Sequence, residues 1–227
     1  VTGAVVHAQN LPKTEAGDLD CDGVLIDSEP VFNAVLVQNL ARHGLRLKPE
    51  QSQLTFTGLA MTELARMASQ MGAVLPQNWI TEVYDEAYAL LRKGVPLIPG
   101  VLAVIRRLDE ENIPCCIVSN GSEEKMQVTL GPHGLWDRFH PNAMFSAHTL
   151  KVAKPDPEIF LTAAAHFDVQ ARDCVVIEDS ATGARGAARA GMQCFGYVAT
   201  TQETALLAEG AEIFHHMKDL PRLLGLS

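Results

Sequence analysis

Ile113-Pro114-Cys115-Cys116-Ile117-Val118 runs straight into Ser119-Asn120-Gly121, and the same design returns as Cys174-Val175-Val176-Ile177 followed by Glu178-Asp179-Ser180. A short, unbroken apolar run rich in Val and Ile is what a strand buried on both faces requires. A third run, Gln193-Cys194-Phe195-Gly196-Tyr197-Val198, has the same character. Helical spacing fills the intervals at residues 101–111, 123–130, 156–167 and 181–190. Strands alternating with helices predict an α/β fold with a Rossmann-like parallel sheet and right-handed crossovers.

Upstream the pattern changes. Residues 31–92 read as helix throughout, most clearly at 31–43, 61–71 and 79–91, with Gly44 and Gly72 as stops. Pro96-Leu97-Ile98-Pro99-Gly100 then forms a stiff connector back toward the sheet. The expected organisation is an α/β core from residues 1–30 and 96–227, interrupted by an α-helical insert at 31–95.

Composition narrows the class. The 227 residues are 47% apolar and 20% charged, with a formal net charge of -9. That acidity argues against nucleic acid or an anionic membrane as partner. It leaves room for a small anionic metabolite, since a local pocket can be positive on an acidic protein. The expectation is a monomer or weak oligomer. No apolar run approaches the ~20 residues of a membrane span, and residues 1–6 lack the basic start of a signal peptide. Cys21, Cys115, Cys116, Cys174 and Cys194 form no CxxC pair, and their odd number fits no closed disulfide framework. Cys115, Cys116, Cys174 and Cys194 sit in or beside short apolar runs and read as small buried residues in a reducing, cytoplasmic compartment.

Ligands of parallel α/β sheets bind at the carboxyl ends of the strands. Those ends carry Asp20-Cys21-Asp22-Gly23, Ser119-Asn120-Gly121 and Glu178-Asp179-Ser180, with Lys154 in a loop before a helix. Gathered carboxylates repel, by about 4 kcal/mol per pair at ~4 Å and an effective dielectric near 20. Oxygen ligands with no His or Cys favour a hard cation, and Mg²⁺ suits them. Lys154 adds a second positive charge and Ser119 a hydroxyl donor, which together make a phosphate site. A carboxylate can attack phosphorus, and a second acid two residues away on extended backbone points to the same side.

These residues resemble the haloacid dehalogenase superfamily. Asp20-Cys21-Asp22-Gly23-Val24-Leu25-Ile26-Asp27-Ser28-Glu29 is similar to its first motif. Ile117-Val118-Ser119-Asn120 resembles the second, Lys154-Pro155-Asp156-Pro157 the third and Ile177-Glu178-Asp179-Ser180 the fourth. The closest likeness is to the subgroup with a helical cap after the first motif, which holds β-phosphoglucomutase and sugar-phosphate phosphatases. The resemblance implies that Asp20 is nucleophile and metal ligand. Asp22 is then general acid/base and lends the Mg²⁺ its backbone carbonyl. Ser119, Asn120 and Lys154 hold the phosphoryl group, and Glu178 and Asp179 complete the metal site. The implied reaction is Mg²⁺-dependent hydrolysis of a small sugar or sugar-acid phosphate through an aspartyl-phosphate. The alternatives are a phosphosugar mutase or a non-catalytic phosphometabolite-binding protein.

Two features depart from that pattern. Phe32 and Met61 stand where β-phosphoglucomutase carries a His and an Arg, which weakens the mutase reading. The segment Thr14-Glu15-Ala16-Gly17-Asp18-Leu19 is also polar where a central strand should be apolar. The expectation is therefore a short, poorly packed first strand that displaces Asp20 from Asp179, or a gap filled by Val5 and Val6. The plainer expectations are that Lys151, His215-His216 and Arg106-Arg107 lie on the surface. Asp156 caps its helix and Ser180 or Asp179 caps the helix from Ala181, Asp27 holds the turn after the first strand, and Met61, Met67 and Met71 pack in the insert's core.

Overall fold

In the computed structural model, residues 14–56, 59, 61–198 and 203–226 are described. Six parallel strands form one sheet: β1 Ala16–Leu19, β2 Cys115–Ser119, β3 Met144–Ser146, β4 Cys174–Glu178, β5 Gln193–Tyr197 and β6 Glu212–Phe214. Their spatial order is β3-β2-β1-β4-β5-β6. The chain thus builds outward on one side of β1, then returns to its other side with β4. That reversal opens a crevice between the carboxyl ends of β1 and β4, where an α/β sheet binds its ligand.

Four helices follow β1: α1 Glu29–Arg42, α2 Pro49–Phe56, α3 Met61–Gln70 and α4 Trp79–Leu91. They enclose their own apolar cluster around Leu40, Phe56, Leu64, Trp79 and Val83. Gly44 and Gly72 end their helices at φ of 93° and 106°, in the left-handed region that costs glycine nothing. The sheet is covered by α5 Val101–Glu110, α6 Glu123–Leu130, α7 Leu135–Phe139, α8 Ala147–Leu150, α9 Glu158–His166, α10 Ala181–Ala190, α11 Glu203–Ala208 and α12 Leu220–Leu223. One face packs Leu19, Ile117 and Ile177 against Val104, Leu108 and Met126. The other packs Ala16, Cys116 and Val176 against Phe160, Ala163 and Ala187. All five cysteines are free and buried. Among the described residues, no helix is long and apolar enough to cross a membrane.

The first strand corrects one expectation. β1 is short, but Gly17, Asp18 and Leu19 are in regular register with β2, and all four of its residues with β4. All four are buried, and the ladder continues past the strand: Asp20 N–H donates to the Ile177 carbonyl at 3.1 Å. Asp20 is not displaced. Strand pairing is made by the backbone, so two flanking strands hold β1 in place even where its side chains bring little apolar surface. Asp18 takes the penalty instead. It lies against Cys116 and Val176, accepts a hydrogen bond from the Cys116 thiol at 2.9 Å, and its second oxygen has no partner among the described residues. Burial pushes its carboxyl up to about 6. Val5 and Val6 lie outside the described residues.

Candidate active site

Asp20 leaves β1 at the crevice, and Glu178 ends the neighbouring strand with Asp179 beside it. One oxygen from each of Asp20, Glu178 and Asp179 lies within 4.8 Å of the others. Two glycines permit the approach. A Cβ on Gly23 would sit 1.9 Å from Asp179 Oδ2, and one on Gly183 would sit 1.9 Å from the Glu178 carboxyl carbon. Gly23 also has φ of 76°, so the sharp turn after Asp22 needs glycine on both counts.

Lys154 enters from its loop and is almost wholly buried. Its Nζ donates to Asp20 Oδ1 and to Glu178 Oε1, both at 2.5 Å. Asn120 fixes that loop: its Oδ1 accepts from Lys154 N–H at 2.8 Å, and its Nδ2 donates to the Lys154 carbonyl at 3.4 Å. The Asn120 side chain thus holds the Lys154 backbone. Ser119 is buried at the end of β2, and its Oγ accepts from Gly121 N–H at 3.0 Å. Ser180 caps α10 as expected, accepting from Gly183 N–H at 3.0 Å, and its own hydroxyl donates to Glu178 Oε2 at 2.8 Å. Asp156 likewise accepts from Glu158 N–H at 3.0 Å.

Two partners of Asp22 escaped the sequence reading. Lys125 Nζ donates to Asp22 Oδ2 at 2.5 Å, and Ser28 Oγ donates to Asp22 Oδ1 at 2.7 Å. One signal for Lys125 was present: it lies in the first turn of a helix, where the macrodipole disfavours a cation. A lysine placed there needs an anion, and Asp22 supplies it.

Electrostatics separates the acids. Burial raises Asp20 to about 7, against the pull of Lys154. Burial, Asp20 and Glu178 push Asp179 well above the usual carboxylate range. Burial also acts on Asp22, but Lys125 and the hydrogen bonds from Lys125 and Ser28 outweigh it and hold this carboxyl low. Asp20, Glu178 and Asp179 together face the single ammonium of Lys154, a charge deficit that a divalent cation would fill. The all-oxygen donor set fits a hard metal ion.

Comparison with known proteins agrees with this geometry. A family model described as haloacid dehalogenase-like hydrolase matches residues 19–191. The 6-phosphogluconate phosphatase of Escherichia coli strain K12 is 30% identical over 215 residues, covering 94% of this chain and 96% of that enzyme. Hexitol phosphatase A of the same organism is 28% identical over 203 residues, covering 88% and 90%. Among solved structures, a conserved haloacid dehalogenase-like protein of unknown function from Agrobacterium tumefaciens strain C58 is similar with a TM-score of 0.83. Its sequence identity is 30%, over 93% of this chain and 97% of that one.

Proposed function

Since the chain belongs to the haloacid dehalogenase-like hydrolases, a family of enzymes with phosphatase relatives, we propose that it hydrolyses a small sugar or sugar-acid phosphate through an aspartyl-phosphate on Asp20. The observation that carries this reading is the convergence of Asp20, Glu178, Asp179 and Lys154 at the carboxyl edge of the sheet, with Asp22 beside them. Asp20 lies among acids and Lys154, while Asp22 is held apart by Lys125 and Ser28.

In the proposed reaction an Asp20 oxygen attacks phosphorus and the bond from phosphorus to the leaving oxygen breaks. Asp22, held low in the free site by Lys125 and Ser28, passes to that oxygen the proton that the phosphomonoester monoanion brings with it. Water then attacks the aspartyl-phosphate, Asp22 takes the water's proton, and the Asp20 carboxylate returns with release of phosphate. Ser119 and Lys154 hold the phosphoryl oxygens, and Asn120 keeps Lys154 in place. Asp20, Glu178, Asp179 and the Asp22 carbonyl would hold Mg²⁺, which offsets the charge of the acids and of the phosphate. Helices α1 to α4 act as the cap that shields the crevice from bulk water. The sugar- and hexitol-phosphate names of the relatives support the substrate class. The mutase and binding-protein readings are not favoured.

The test is turnover of p-nitrophenyl phosphate with Mg²⁺, with excess chelator, and with Asp20→Asn. Wild type is expected to need the metal. The variant, folded by circular dichroism, should retain less than about 1% of the rate, since the covalent route is lost. Substantial turnover by Asp20→Asn, or full activity in chelator, would reject the assignment.

A further inference from the structure

The Lys154 side chain is 3% exposed, so its ammonium must find its partners inside the protein. Asp20 and Glu178 each accept a hydrogen bond from it. A further contact is aromatic: Nζ stands over the ring of Phe160, 5.4 Å from the centroid. Phe160 lies in the first turn of α9, just past the Lys154 loop, and is wholly buried. An ammonium within about 6 Å of a ring centroid is attracted by the negative face of the ring, most strongly where water is excluded.

The neighbouring helix makes room for this stack. Gly183 and Gly186 of α10 stand at i and i+3, hence on one face. Glycine is a poor helix former, and at each of these positions a close approach accounts for it. A Cβ on Gly183 would strike the Glu178 carboxyl, and one on Gly186 would sit 2.8 Å from Phe160 Cε2 and 3.5 Å from Pro155 Cα. Arg189 of the same helix braces the loop, its Nη1 donating to the Pro155 carbonyl at 3.3 Å. The helix thus gives way at two groups that flank Lys154, a carboxylate and a ring.

We infer that Phe160 is a positioning residue for Lys154: its ring face holds the ammonium in place to meet a phosphoryl oxygen, and Gly186 keeps the space the ring needs. This rests on the phosphatase reading above, in which Lys154 holds phosphoryl oxygens. Asp20 and Glu178 are inconstant anchors for that task. In the same reading Asp20 changes its charge and bonding during turnover, and both carboxylates share their oxygens with Mg²⁺. A further carboxylate would steady the ammonium only by repelling the phosphate. The ring attracts the ammonium, carries no net charge and competes for no ligand position.

Site-specific replacement of Phe160 by mono-, di- and trifluorinated phenylalanine tests this. Fluorine drains the negative face of the ring and changes its shape little, so a role in packing alone would not follow the series. With Mg²⁺ and p-nitrophenyl phosphate, kcat/KM is expected to fall stepwise, by about tenfold from no fluorine to three. Affinity for inorganic phosphate, measured by titration calorimetry, should weaken in the same order. Phe160→Leu keeps an apolar side chain without a ring face and should lose at least as much; should it not fold, the fluorinated series decides. A series flat in kcat/KM or in phosphate affinity overturns the inference even where Phe160→Leu is impaired, because Phe160 then only fills space. If wild type fails to cleave p-nitrophenyl phosphate, the phosphatase reading falls, and the trend in phosphate affinity still decides whether the ring holds the ammonium.

Discussion

Asp18 is the residue whose chemistry least suits its place. Its carboxyl is buried in the central strand, and among the described residues Cys116 is its one hydrogen-bond partner and one oxygen is left over. Burial raises it from 3.8 to about 6, so the folded state binds the proton more tightly than the unfolded chain does. Folded stability is therefore favoured below pH 3.8 and declines as pH rises through about 6, a loss of about 3 kcal/mol for a shift of roughly two units. Asp18→Val would remove the ionisable group and restore an apolar side chain facing Cys116 and Val176. Its melting temperature is expected to exceed that of wild type by roughly 5 °C or more at pH 7, and the gap should narrow toward pH 4.5. Differential scanning calorimetry across that range checks it; a constant gap, or a variant less stable at pH 7, would contradict the account.

At the scale of the element, α6 links the core to the chemistry. Ser122 caps it, its Oγ accepting from Lys125 N–H at 3.2 Å, and this first turn directs the Lys125 side chain at Asp22. Glu123 and Glu124 satisfy the helix dipole, whereas Lys125 opposes it and gains its favourable interaction from Asp22. Lys125→Met is expected to leave α6 folded, since Met has good helix propensity. It should lower kcat by about tenfold or more, within the usual range for disturbed acid/base catalysis, and Lys125→Arg should recover part of that loss. Steady-state kinetics on an aryl phosphate, with far-ultraviolet circular dichroism on the same samples, decides the point. Unchanged kcat in Lys125→Met would remove Lys125 from the site.

At the scale of the molecule, two positions among the helices that follow β1 bear on the choice between hydrolase and mutase. A mutase must hold a second phosphate, and that requires cations. Phe32 and Met61 stand at the positions that, by the resemblance, match a His and an Arg of β-phosphoglucomutase, and residues 29–41 and 49–65 contain no Lys, Arg or His. Supplied with either anomer of glucose 1-phosphate and a bisphosphate primer, the protein is expected to form no glucose 6-phosphate, and any reaction should end in free phosphate. Phosphorus NMR of the products would reveal primer-dependent isomerisation if this is wrong.

The α/β class and the gathering of Asp20, Asp22, Ser119, Lys154, Glu178 and Asp179 were legible in the residues. Buried parallel strands need continuous apolar runs, and the chemistry clusters at their carboxyl ends. The helices at 79–91, 123–130 and 181–190 could be read to the residue for a related reason, as their residue spacing is local and the latter two also carry local caps in Ser122 and Ser180. The three-residue strands β3 and β6 were not legible, because so short a run has no periodicity to read. The partners of Asp22 were not legible either. Lys125 lies 103 residues from Asp22, and only the packing of α6 against the end of β1 brings the two together. The same holds for β1: its polar sequence argued for displacement, and the hydrogen-bond ladders of β2 and β4 decided otherwise. Local pattern reports what a segment can form by itself, whereas pairing and ion-pair geometry depend on neighbours that only the folded chain supplies.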